Sequence, residues 1–170
     1  MAGLLATDAR ASDPHRGRVI VTRLMGLDHG RKRIGVAVSD PLGIVARPVT
    51  IIVRASRRED FAELARIIDA EGVSRIVVGL PTDAESGIGI QAAKVIRWAR
   101  KLHAAVDRAV SLWDESYSSE AAAELAARGK RKPGDPVDDI AAAIILQDYL
   151  DAGGITSEPG QPLDAFAHIE

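Results

Sequence analysis

The chain has 170 residues, 46% of them hydrophobic, enough for one domain with a proper core and short for two. Without cysteine it excludes disulfides and thiolate metal sites, so any metal must sit on carboxylate, imidazole or backbone oxygen, which favours hard cations such as Mg²⁺ or Mn²⁺. A net charge of −2 hides basic clusters at Arg16 and Arg18, Arg31 to Arg33, and Lys130 to Lys132, so a nucleic-acid partner is neither demanded nor excluded.

Residues 1–17 lack periodicity and read as a flexible tail, as do residues 153–170 with Pro159 and Pro162; residues 18–152 are expected to form the domain. No apolar stretch reaches the ~20 residues that span a bilayer and no secretory signal opens the chain, so no membrane partner and a cytoplasmic location are expected. The apolar run "VIVTRLMGLD" and the following "RIGVAVSD" are joined by a short glycine turn, which predicts a hairpin. A third run, "GIVARPVTIIV" (Gly43 to Val53), follows the Asp40–Pro41 turn, and its Pro48 marks an edge or irregular strand. Phe61, Leu64, Ile67 and Ile68 share one face of a helix over Arg57 to Ala70, with Gly72 placed to end it. "RIVVGLP" (Arg75 to Pro81) is a short β-branched run typical of a buried strand. A helix over Gln91 to Val106 and a strand over Ala109 to Glu115 come next. Ser118–Ser119 caps a predicted helix through Arg128, and after the loop "GKRKPGDP" a last helix runs from Val137 to Leu150. The pattern is α/β, a five-stranded mixed sheet flanked by helices, in which a three-strand antiparallel meander is continued by two parallel strands.

Three carboxylates stand at element ends: Asp28 after the first strand, Glu115 after the fifth, Asp138 at the start of the last helix. With the first and fourth strands adjacent and the fifth beside the fourth, all three reach one rim. Gathered carboxylates repel, so they share protons or a cation. Each also has an ordinary reading: Asp before His-Gly is a common turn residue, Glu115 a strand-end charge, and Asp138 or Asp139 a favourable first-turn helix charge. The Lys130–Arg131–Lys132 run is likewise either a solvated loop or a phosphate-binding one. Gly79 and Gly87 either terminate elements or let nucleic acid approach closely; Trp113 reads as core, and Trp98 stays open between core and base stacking.

"LDHGRKRIGVAVSDPLGIVARPV", "IVVGLPTDAESGIGIQAAKV", "DESYSSEAAA" and "VDDIAAAIILQDYLD" together resemble, in order, four blocks of the YqgF/RuvX family. These are pre-16S rRNA nucleases related to Holliday-junction resolvases within the RNase H-like superfamily. The resemblance covers about Leu24 to Asp151. It implies an RNase H-like fold, metal-binding catalytic carboxylates at Asp28, Glu115 and Asp138, and a divalent ion, Mg²⁺ or Mn²⁺. It further implies processing of the 5′ end of pre-16S rRNA, with phosphates met by Lys32, Arg33, Lys94, Arg97, Lys130, Arg131 and Lys132. Ser116 stands where the family usually has arginine, and Asp83 where it often has asparagine. Asp138 is chosen over Asp139 by aligning the fourth block.

Three other readings remain from the residues. Junction cleavage fits the same site and calls for a symmetric homodimer acting on structured DNA. A non-catalytic RNA-binding module is kept alive by Ser116. An actin-like phosphotransferase lacks the second lobe and second phosphate loop it needs.

Overall fold

The computed structural model describes residues 23–81, 88–115, 124, 132, 134–154 and 156–169. The predicted N-terminal tail and the helix expected after Ser118 lie outside the described residues, apart from Glu124, as do Lys130 and Arg131. Strands β1 (Arg23–His29), β2 (Arg33–Ser39) and β3 (Ala46–Val53) form the meander, α1 (Arg57–Glu71) leads to β4 (Val73–Leu80), and α2 (Ile90–Val106) to β5 (Ala109–Asp114). Helix α3 (Asp138–Asp151), β6 (Gln161–Pro162) and a short 3-10 helix (Leu163–Phe166) complete the described chain. The sheet order is β3-β2-β1-β4-β5-β6, antiparallel through the meander and parallel from β1 to β4 and from β4 to β5.

The hairpin turn closes where Gly30 N–H donates to the Arg33 carbonyl at 2.9 Å. β3 begins at Ala46, three residues later than the apolar run suggests, because the Asp40 carboxylate accepts from the backbone N–H of Leu42, Ile44 and Val45 and wraps that stretch into a turn. Ser56 caps α1 by accepting from Glu59 N–H, and Gly72 ends it in the left-handed conformation.

Strand pleating sorts the side chains into two cores. Met25, Leu27, Ile34, Val36, Ile76 and Val78 meet α1 and α2, whereas Leu24, Ala37 and Val77 meet Ala142, Ile145, Leu146 and Tyr149 of α3. At Gly35 an added Cβ would stand 1.8 Å from the Asp138 carbonyl oxygen, so α3 starts in contact with the β2 backbone. Gln147 ties the helix to the edge of the meander, accepting from Ala46 N–H and donating to the Ile44 carbonyl.

Two expectations are corrected. The sheet has six strands, not five, and the segment after Gly153 is not a loose tail. Gln161–Pro162 pairs antiparallel with Ser111–Leu112 of β5, and Leu163 and Phe166 bury into the α2-side core. The Arg100 guanidinium holds the carbonyls of Phe166 and Ile169, and Arg75 pairs with Glu158. Two apolar residues in a proline-bearing stretch bury enough surface to dock when an existing strand edge and a guanidinium satisfy the backbone.

Candidate active site at the carboxylate rim

β1, β4 and β5 run in parallel and end on one rim, where α3 begins. Positions 24, 26 and 28 of β1 face α3, so Asp28 emerges beside Asp138, while Glu115 follows β5 on the same face. An added Cβ at Gly79, at the end of β4, would lie 2.5 Å from Glu115 Oε2 and 2.6 Å from Ile145 Cδ1. The glycine therefore makes room for the Glu115 carboxylate and for α3, a close approach within the protein itself.

Electrostatics binds the three acids together. Burial, with the Asp138 charge added, pushes the Asp28 carboxyl up to about 6. Burial, then the charges of Asp28 and Asp114, pushes Glu115 up to about 7. Asp28 thus stands between the other two, coupled to each. Among the described residues no three carboxylate or imidazole groups stand as a closed metal-binding set. Asp138 is instead gripped by Arg33, whose Nε–H donates to Oδ2 at 2.7 Å. Asp139 is buried one residue further on, where its Oδ1 accepts from Ile140 N–H.

The donor set fits a hard cation. It is made only of oxygen, it is crowded with like charge, and two of its members are held toward their protonated forms by burial and then by that crowding, a penalty a bound divalent ion would offset.

Two grooves open at the rim. One, of about 450 Å³, is lined by Gly30, Arg31, Lys32, Arg33 and Asp138. The other, of about 220 Å³, is lined by Asp28, Asp135, Val137, Asp138 and Ala141, with Arg33 again on its wall. Of the expected phosphate contacts, the structure thus brings Lys32 and Arg33 to the carboxylates. Lys132 is exposed and its backbone N–H donates to Asp135 Oδ2, at the border of the second groove. Lys94 and Arg97 lie on α2, which packs on the opposite face of the sheet from α3. Trp98 of the same helix is core, 6% exposed, against Phe61 and His29. Trp113 is partly buried edge-on to Tyr149.

A support for the hairpin turn escaped the sequence reading. Arg54 N–H donates to the Lys32 carbonyl, its guanidinium donates to the Gly30 carbonyl at 3.0 Å, and Asp60, 2% exposed, holds that guanidinium at 3.3 Å. The only signal for it in the sequence is an aspartate beside Phe61 on the inward face of an amphipathic helix.

An RNase H-like architecture, with acids at the ends of its first and fifth strands and at the start of its last long helix, is what the fold and the rim define. The chain belongs to the RuvX family, whose model, described as Holliday junction resolvase, matches residues 22–152. It is 41% identical over 146 residues to a Syntrophus aciditrophicus protein named "Putative pre-16S rRNA nuclease", covering 84% of this chain and 97% of that one. A Desulforamulus reducens protein of the same name is 43% identical over 136 residues, covering 77% and 98%. Among solved structures, T. thermophilus RuvC in complex with Holliday junction substrate superposes with a TM-score of 0.54 at 12% identity, over 83% of this chain and 99% of that one. At that identity the likeness concerns the fold. No helix among the described residues is long and apolar enough to cross a membrane.

Proposed function

We propose that this chain is a metal-dependent nuclease that hydrolyses phosphodiester bonds in the 5′ region of pre-16S rRNA. The observation that carries the reading is the buried Asp28 carboxyl, coupled to both Asp138 and Glu115 beside a groove lined by Arg31, Lys32 and Arg33. An isolated turn aspartate needs neither that burial nor two acidic neighbours. Family membership and the names of the relatives supply the substrate. Pre-rRNA as substrate carries with it a cytoplasmic location.

Asp28, Glu115 and Asp138 would hold the Mg²⁺ or Mn²⁺. When bound, such ions supply a nucleophilic water and offset charge on the leaving oxygen. The rest is the work of this chain's own side chains. Lys32 and Arg33 would orient the backbone phosphate next to Asp28, and Lys132, at the border of the second groove, would add a further cationic contact; Lys130 and Arg131, outside the described residues, are proposed to share that role. Lys94 and Arg97, on the other face of the sheet, would contact only the more distant part of a substrate. Burial of the carboxylates keeps water from screening their fields.

The test is cleavage of end-labelled single-stranded RNA, duplex DNA and a four-way junction by wild type and Asp28→Asn, with Mg²⁺, Mn²⁺ or EDTA. Metal-dependent RNA cutting that vanishes in Asp28→Asn is the expected result. Paired symmetric nicks confined to the junction would instead assign the resolvase activity named in the family description, with the homodimer that two symmetric cuts require. Equal RNA binding by both proteins without any cutting would leave a non-catalytic module.

A further inference from the structure

Arg33 and Asp138 form the one wall common to the two grooves at the rim. On one side of the pair lie Gly30, Arg31 and Lys32; on the other lie Asp28 and Asp135. The cationic groove suits phosphate and the acidic one suits a cation, so the pair stands on the boundary between the two ligands of the proposed reaction.

Each partner of the pair has a competing use. The Asp138 carboxylate is a hard oxygen donor, yet its Oδ2 accepts from Arg33 Nε at 2.7 Å. A guanidinium held against that carboxylate and a divalent ion bound to it repel each other, so each weakens the other's hold. The Arg33 guanidinium, in turn, matches a phosphate as well as it matches a carboxylate. The Asp138 side chain is 15% exposed and the Arg33 side chain 40%, so the acid is fixed at the start of α3 while the arginine borders open solvent and can swing. A partly exposed pair of this kind is held by a small net energy, which a divalent ion or a phosphate can exceed.

We infer that Arg33 is a positioning residue that couples the two ligands: it guards Asp138 until a cation takes the carboxylate or a backbone phosphate takes the guanidinium. Either event favours the other. A bound cation releases Arg33 toward phosphate, and a bound phosphate strips Arg33 from Asp138. By linkage the two effects are equal in size, about fivefold for a partly exposed ion pair. This rests on the nuclease reading of the rim, because it takes Asp138 as a cation ligand.

Two titrations test it on the full chain. Calorimetry with Ca²⁺, an oxygen-seeking cation, measures cation affinity of the protein alone; a fluorescein-labelled single-stranded RNA measures nucleic-acid affinity with and without Ca²⁺. Arg33→Gln is expected to bind Ca²⁺ about fivefold more tightly than wild type and to lose the Ca²⁺-induced gain in RNA affinity. Lys32→Gln removes the same charge from the same groove without touching Asp138, so it should keep that gain and show a smaller change in Ca²⁺ affinity. Should Arg33→Gln not fold, Arg33→Lys, which keeps the charge but loses the Nε–H, serves with the same sign and a smaller effect.

If Arg33→Gln and Lys32→Gln change Ca²⁺ affinity alike, or if the gain survives in Arg33→Gln, the pair is only a structural tie and the inference is overturned. If Ca²⁺ binding is absent, or is unchanged by Asp28→Asn, the nuclease reading fails together with it. Ca²⁺ binding that needs Asp28 but ignores Arg33 overturns the inference alone.

Discussion

Asp28 and His29 are consecutive residues of β1, and pleating sends them to opposite faces of the sheet. Both are pressed toward neutrality by burial: the Asp28 carboxyl is pushed up to about 6 and the His29 imidazole down to about 4. Their neighbours separate them. His29 lies against the Trp98 ring at a centroid distance of 4.3 Å, with Arg54 adding to its loss of charge and Asp60 opposing it. Asp28 faces a second acid, and through Glu115 a third. On the α1/α2 face the neutral imidazole is simply packed; on the α3 face like charges accumulate, a strain that a bound cation would relieve. The difference teaches that burial of a polar residue is common to core and site, and that the sign of its neighbours tells which is which.

The strongest way to break this contrast is at Asp28. On the proposed reading Asp28→Asn removes a cation ligand and should reduce cleavage by about a thousandfold or more, while His29→Phe should leave metal-dependent cleavage within about tenfold of wild type. Parallel single-turnover assays with Mn²⁺ check both. A larger loss at His29 than at Asp28 would invert the assignment of the two faces.

Next in size is Gly35→Ala. Its Cβ would meet the Asp138 carbonyl at 1.8 Å, so α3 must shift away from the sheet. A loss of about 3 kcal/mol or more in urea unfolding is expected, together with weaker cation binding, because Asp138 moves with the helix start. By contrast, truncating the opposite side of the same strand pair, His29→Ala, leaves a cavity beside Trp98 and should cost about 2 kcal/mol without altering cation affinity.

The smallest effects are in the pH dependence of stability, where the two residues act in opposite directions. A raised acid binds its proton more tightly in the folded chain, so Asp28 and Glu115 add stability at low pH that is lost as pH rises from about 4 toward 6 to 7. A lowered base does the reverse: His29 costs stability as pH falls from about 6.5 toward 4. The two slopes partly cancel in the wild type. His29→Phe should therefore unmask a steeper fall in thermal midpoint between pH 4.5 and 6.5, of about a few degrees.

Much of this arrangement is legible in the chain before any coordinates. Apolar runs broken by His29–Gly30, Asp40–Pro41 and Pro81 mark the strand boundaries, and the helix between the third and fourth strands suggests a parallel crossover, while the pairing of β4 with β1 comes from the structure. Carboxylates at strand ends then fall on one rim by topology alone. What pattern does not carry is contact between distant residues. The pairing of Arg33 with Asp138, 105 positions apart, turns an expected phosphate contact into a partner of a carboxylate. Gly35 and Gly79 resemble any strand glycine until α3 is laid on the sheet. The docking of Leu163 and Phe166 depends on an open edge at β5 that periodicity in so short a segment does not announce.

The most direct test of the central claim is chemical unfolding of wild type and Asp28→Asn from pH 4 to pH 8, with and without Mg²⁺. Without Mg²⁺ the two should be equally stable near pH 4, and Asp28→Asn should become the more stable by up to about 3 kcal/mol above pH 6, where the wild type must bury a charged carboxylate among acids. Saturating Mg²⁺ should close or reverse that gap by stabilising only the wild type. An Asp28→Asn protein that is less stable at every pH, and a wild type indifferent to Mg²⁺, would mean that Asp28 is a turn residue and that the rim holds no cation.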